Sequence, residues 1–137
     1  MTNPQPLGTD FLLSRLRLKP SYLGSLGAKG DRQGQNLRVA ILNCDLHAVW
    51  YAAFMLEPDP WLLMKHYKIV HYYFTYMYKP EEFVIPSVPG FELTTCWDAD
   101  RTRGELFSKI FHDKPKVCDR IEDALENVDL VFVADCQ

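Results

Sequence analysis

The 137-residue sequence has no Cys-x-x-Cys pair. Its four cysteines, Cys44, Cys96, Cys118 and Cys136, stand far apart, which excludes zinc-ribbon and thioredoxin-type motifs. It has no apolar run of the roughly 20 residues that span a bilayer, and no secretory apolar segment. The expectation is a cytoplasmic protein with free thiols and no membrane partner. Nor does basic charge dominate: 15 Lys and Arg stand against 18 Asp and Glu, a net of -3. That balance speaks against a nucleic-acid partner bound by bulk charge. With 47% hydrophobic and 24% charged residues, the composition excludes collagen-like and wholly disordered classes.

The charge that is present is divided along the chain. Residues 1–38 hold six basic and two acidic residues, a net of +4, and the remainder holds nine basic and sixteen acidic, a net of -7. The basic part also carries Pro4, Pro6, Pro20, Gly24, Gly27, Gly30 and Gly34. We read residues 1–36 as a flexible N-terminal extension, in which Asp10 to Lys19 has the pattern of a short amphipathic helix capped by Asp10.

From Leu37 the order is strand, turn, helix. Leu37 to Leu42 is a short apolar run between polar stretches, which predicts a buried strand. Leu46 to Leu56 consists of good helix formers, with Asp45 placed to cap it and Pro58 just beyond. A second strand is predicted over Phe91–Trp97 and ends at Asp98. Asp100 is placed to cap a helix over Arg101–Phe111, with Leu106, Phe107, Ile110 and Phe111 on one face. A two-residue strand at Val117–Cys118, a short acidic helix from Ile121 to Asn127 and an apolar strand over Val128–Ala134 complete the pattern. Buried strands alternating with helices predict an α/β fold with a parallel, Rossmann-like sheet, half of a doubly wound fold.

Residues 57–90 interrupt this rhythm as a long insertion between the first helix and the second strand. Asp59-Pro60 supplies a cap and first-turn pair, and a single aromatic helix is predicted from Trp61 to Tyr78. Five of the seven tyrosines fall in this insertion. Lys65, Lys68, His71, Thr75 and Lys79 fall on one narrow polar stripe. The rest of the circumference is apolar, so the expected assembly is a homo-oligomer formed through 61–78. A lysine- and aromatic-rich helix lying on a membrane surface is the weaker reading of the same stretch.

The carboxyl ends of the predicted strands gather Cys44, Asp45, Cys96, Asp98, Asp135 and Cys136. In open α/β sheets that edge is the ligand crevice. The donors mix hard and soft ligands with no fixed histidine, so buried small thiols are expected there in preference to a metal.

Three stretches resemble the N-terminal dinucleotide-binding domain of the Gfo/Idh/MocA oxidoreductases. They are Val39 to Ala48, Pro89 to Arg101, and Val117 to Ala134. The resemblance implies a nucleotide-binding domain over 37–137, incomplete as given, from an enzyme that moves a hydride between NAD (or NADP) and a sugar, polyol or related hydroxy compound. It places the cofactor against Asn43, Cys44, Asp45, Leu46, His47, Asp98, Ala134 and Asp135, and assigns no catalytic residue to this chain. The phosphate fingerprint G-x-G-x-x-G falls on Asn43, Asp45 and Ala48. Asn43 tolerates a left-handed backbone and Ala48 permits close packing, but Asp45 sets a carboxylate where pyrophosphate would sit. The expected resolution is that Asp45 turns away as a helix cap. Asp98 matches the acid that binds the adenosine ribose, which implies NAD over NADP. His47 either lines the nucleotide pocket or packs inside the first helix. The alternative function is a non-catalytic α/β domain whose cofactor site has decayed and which acts in oligomer or partner binding. On either reading the expectation is the front part of a larger protein or a truncated relative.

Overall fold

The computed structural model describes residues 34–75, 85 and 87–135. The extension through residue 33, the helix predicted at Asp10–Lys19, the stretch 76–84 and Cys136 lie outside the described residues. Contacts divide the chain between residues 35 and 36, and everything below concerns the second unit.

Four strands form one parallel sheet: β1 (Leu37–Leu42), β2 (Phe91–Trp97), β3 (Lys116–Val117) and β4 (Leu130–Val133). Their order is β3-β2-β1-β4, so β1 is central and the chain crosses over it on the way from β3 to β4. This is the α/β, Rossmann-like arrangement expected from the alternation of buried strands and helices. The helices of the described residues are α1 (Leu46–Ala52), α2 (Pro60–His66), α3 (Lys68–Phe74), α4 (Arg101–Ile110) and α5 (Ile121–Leu125).

Side-chain contacts show which face each helix covers. The Cys96 thiol reaches the Gly104 carbonyl of α4 at 3.9 Å, and Tyr51 of α1 meets Phe132 of β4 at 5.0 Å between ring centroids. Thr95 instead donates to the Ala124 carbonyl of α5 at 2.8 Å. So α1 and α4 cover one face and α5 the other, as right-handed crossovers require. Val39, Ala40 and Ile41 are wholly buried because both faces of β1 are covered.

The alternation of β2 is broken by a bulge. Val39 pairs with Leu93 but Ala40 pairs with Thr95, leaving Thr94 as the extra residue. The Thr94 hydroxyl donates to the Val39 carbonyl at 3.2 Å. The extra residue shifts the phase of the strand by one, so Cys96 joins Phe91 and Leu93 on the α4 face. Asp98 follows Cys96 in phase and faces α4 as well.

The stretch between α1 and β2 departs from its expected form. It is not one helix from Trp61 to Tyr78: α2 and α3 meet at Tyr67, whose backbone (φ -133°, ψ 62°) is not helical. No Gly or Pro marks this corner, so periodicity alone runs through it. Asp59 caps α2 and its own N–H donates to the Ile110 carbonyl at 2.7 Å, tying α2 to the end of α4. The predicted polar stripe is also corrected. Lys65 and Lys68 are exposed, but His71 and Thr75 are buried because α3 turns that side inward. Lys79 lies outside the described residues. Phe74 packs edge-on to Phe54 and tilted against Trp50 of α1.

Candidate crevice at the carboxyl edge of the sheet

The β1–α1 turn is built around two residues. Asn43 takes φ 66°, the left-handed conformation that a fingerprint glycine would supply, while its N–H continues the ladder to the Trp97 carbonyl at 2.9 Å. Asp45 caps α1: its Oδ1 accepts from the N–H groups of His47 at 3.0 Å and Ala48 at 3.3 Å. The expected cap is therefore present. Two of the first-turn amides of α1 are thus held by a carboxylate of the chain itself.

Asp98 is almost fully buried at the end of β2. Its Oδ2 accepts from the Cys44 N–H at 2.8 Å and its Oδ1 from the Asp100 N–H at 2.7 Å. Arg103, in the first turn of α4, sets its Nε 3.8 Å from Asp98 Oδ2 and 3.9 Å from Asp100 Oδ2. Gly104 lets α4 lie close: a Cβ there would meet Val117 Cγ1 at 3.3 Å. Asp98 thus bridges the first and second strand ends, with Arg103 as its nearby cation.

Tyr67 enters the same crevice from the corner between α2 and α3. Its hydroxyl donates to the Cys44 carbonyl at 3.4 Å. Burial raises its pKa, and the nearby carboxylates of Asp45 and Asp98 raise it further against the pull of Arg103. The Cys44 thiol is buried beside that of Cys96. This hydrogen-bonding neighbour, together with desolvation, pushes its pKa far up, so Cys44 is a protonated, poorly nucleophilic thiol.

The expected site residues are thus spread unequally. Asn43, Cys44, Asp45 and Asp98 converge. Leu46 is partly buried in the first turn of α1, and His47 is exposed, so the expectation that it packs inside α1 does not hold. Ala134 is buried after β4, where its N–H donates to the Leu42 carbonyl at 2.9 Å, and Asp135 is exposed. Tyr67 and Arg103 were not legible as crevice residues. Arg103 could have been found from its i,i+3 spacing to the Asp100 cap, whereas nothing set Tyr67 apart in an aromatic run. Among the described residues no group of three His, Cys, Asp or Glu side chains is placed to hold a metal. No described helix is long and apolar enough to cross a membrane. A cleft of 580 Å³ opens at the opposite end of β2, where Glu92 and Lys114 are its charged groups. It lacks the convergence of strand ends seen at the carboxyl edge.

Compared with protein-family models, curated proteins and solved structures, the chain has no match.

Proposed function

We propose that this chain is the nucleotide-binding part of an NAD(P)-dependent oxidoreductase of the Gfo/Idh/MocA type, acting on a sugar, polyol or related hydroxy compound. The observation that carries the reading is the strand order β3-β2-β1-β4, which sets a topological switch point beside β1. The left-handed Asn43 turn and the acidic end of β2 lie at that edge. The left-handed turn at Asn43 supports a dinucleotide, while the Asp45 carboxylate opposes its pyrophosphate. Two carboxylates, Asp98 and Asp100, against one guanidinium at Arg103 disfavour a 2′-phosphate, which supports NAD over NADP. No residue of this chain carries a chemical step on this reading.

The second reading is a non-catalytic domain with a decayed site. Its support is that Asp45 already fills the amides at the start of α1. Asp45→Gly separates the two. Glycine is tolerated at a helix cap at a cost of a few tenths of a kcal/mol, and the substitution removes the charge. Calorimetric titration with NAD, NADP and ADP-ribose should show weak binding to the natural chain. Asp45→Gly should bind at least about tenfold tighter, or about 1.4 kcal/mol. No binding to either protein at millimolar nucleotide would leave the decayed-site reading standing.

The partner proposal is a homo-oligomer formed through the aromatic face of α2 and α3. Trp61, Ile69, Tyr72 and Tyr73 are large side chains about half or more exposed there, and such patches commonly mark interfaces.

A further inference from the structure

We propose that Tyr67 is a built-in occupant of the carboxyl-edge crevice, its phenol closing the β1–α1 turn until a ligand displaces it. The inference rests on reading this edge as the ligand crevice, and it adds a residue that neither the fold nor the resemblance places there.

Three observations support it. First, Tyr67 belongs to neither helix register: it is the single non-helical residue between α2 and α3, and its hydroxyl lies at the β1–α1 turn, not among the exposed aromatics. Second, its hydroxyl reaches the Cys44 carbonyl, and its electrostatic neighbours are Cys44, Asp45, Asp98 and Arg103. These come from the β1–α1 turn, the end of β2 and the first turn of α4, the three places that define the crevice. Third, the Cys44 N–H is already taken by Asp98, so with Tyr67 in place both backbone polar groups of Cys44 are satisfied from within the chain.

The contact is built to open. At 3.4 Å the O–H···O bond is longer than the usual range of about 2.5–3.0 Å, so breaking it costs little. The flanking helices are anchored elsewhere, α2 by Asp59 on Ile110 and buried Leu63, and α3 by Phe74 against Trp50 and Phe54. The phenol can therefore swing about its side-chain torsions while both helices stay packed.

The test compares the natural chain with Tyr67→Phe and Tyr67→Ala by two measurements. One is the rate of iodoacetamide modification of each cysteine, mapped by peptide mass. Cys118 serves as the internal control, because it packs with Leu42 and Ala124 on the other face of the sheet. The other is the calorimetric affinity for ADP-ribose. Tyr67→Ala should label Cys44 at least about fivefold faster with Cys118 unchanged, and bind ADP-ribose more tightly, with Tyr67→Phe intermediate. Unchanged Cys44 labelling, a rise shared equally by Cys118, or weaker ADP-ribose binding in Tyr67→Ala would each overturn the proposal. Faster labelling of Cys44 alone, with no ADP-ribose bound by any variant, would uphold Tyr67 as the cover and count against the nucleotide reading instead.

Discussion

His71 shows how one residue couples burial to protonation. It is fully buried in α3, and burial lowers its pKa. Thr75 donates its single hydroxyl proton to the His71 carbonyl at 2.7 Å. The same hydroxyl lies 3.3 Å from the Nδ1 of the ring. The unfolded chain takes up a second ring proton near pH 6.5 and the folded chain resists it. The stability contributed by neutral His71 is therefore complete above about pH 6.5 and is lost as pH falls toward the lowered folded value. Urea midpoints measured from pH 8 to pH 5 should decline with a His71 share of at most about 1.4 kcal/mol per pH unit. His71→Asn should flatten that part of the slope.

The packing of α4 on the sheet depends at the element scale on one missing side chain. Gly104 is buried where α4 passes β3 and the base of Asp98. Alanine there gains about 1 kcal/mol of helix propensity but presses on Val117, whose Cγ1 would lie 3.3 Å from the new Cβ. The two effects oppose, so Gly104→Ala should change stability by less than about 1 kcal/mol. Valine adds bulk with no such compensation and should cost more than about 2 kcal/mol in chemical denaturation. The β2 bulge acts on the same scale. Strand propensity over Phe91–Trp97 predicts the element and its ends, but an uninterrupted alternation would face Asp98 toward α5. The Thr94 insertion faces it toward α4 and the Cys44 amide. Nothing in the local sequence distinguishes Thr94 from Thr95, because the bulge is a choice of register between strands.

At the scale of the whole molecule, the described residues leave two apolar surfaces exposed. One is the Trp61, Ile69, Tyr72 and Tyr73 face of α2 and α3. The other is at β4, which among the described residues pairs with β1 alone and exposes Val131 and Val133. If assembly uses the aromatic face, light scattering should show mass rising with concentration. Replacing Tyr72 and Tyr73 together by Ser should return the protein to monomer, while Val131→Thr should leave the association constant within about twofold. A monomer at every concentration would remove the interface reading.

The sequence by itself determined the order of the four strands, though not the bounds of β3 and β4, which it set at Val117–Cys118 and Val128–Ala134, and it determined the helix starts at Asp45, Asp59 and Asp100 and the α/β class. These follow from local rules: apolar runs bury, Asp side chains accept from first-turn amides, and the chain alternates strand with helix. It also determined that the β1–α1 turn would carry Asn43 and Asp45, with no glycine in it. Only the tertiary structure decided where those groups point. The corner at Tyr67, the inward turn of His71 and the capture of the Cys44 amide by Asp98 all join residues more than 20 positions apart or depend on which face a helix buries. Such pairings are settled by packing and by the need to satisfy buried polar groups. No periodicity within one segment encodes them.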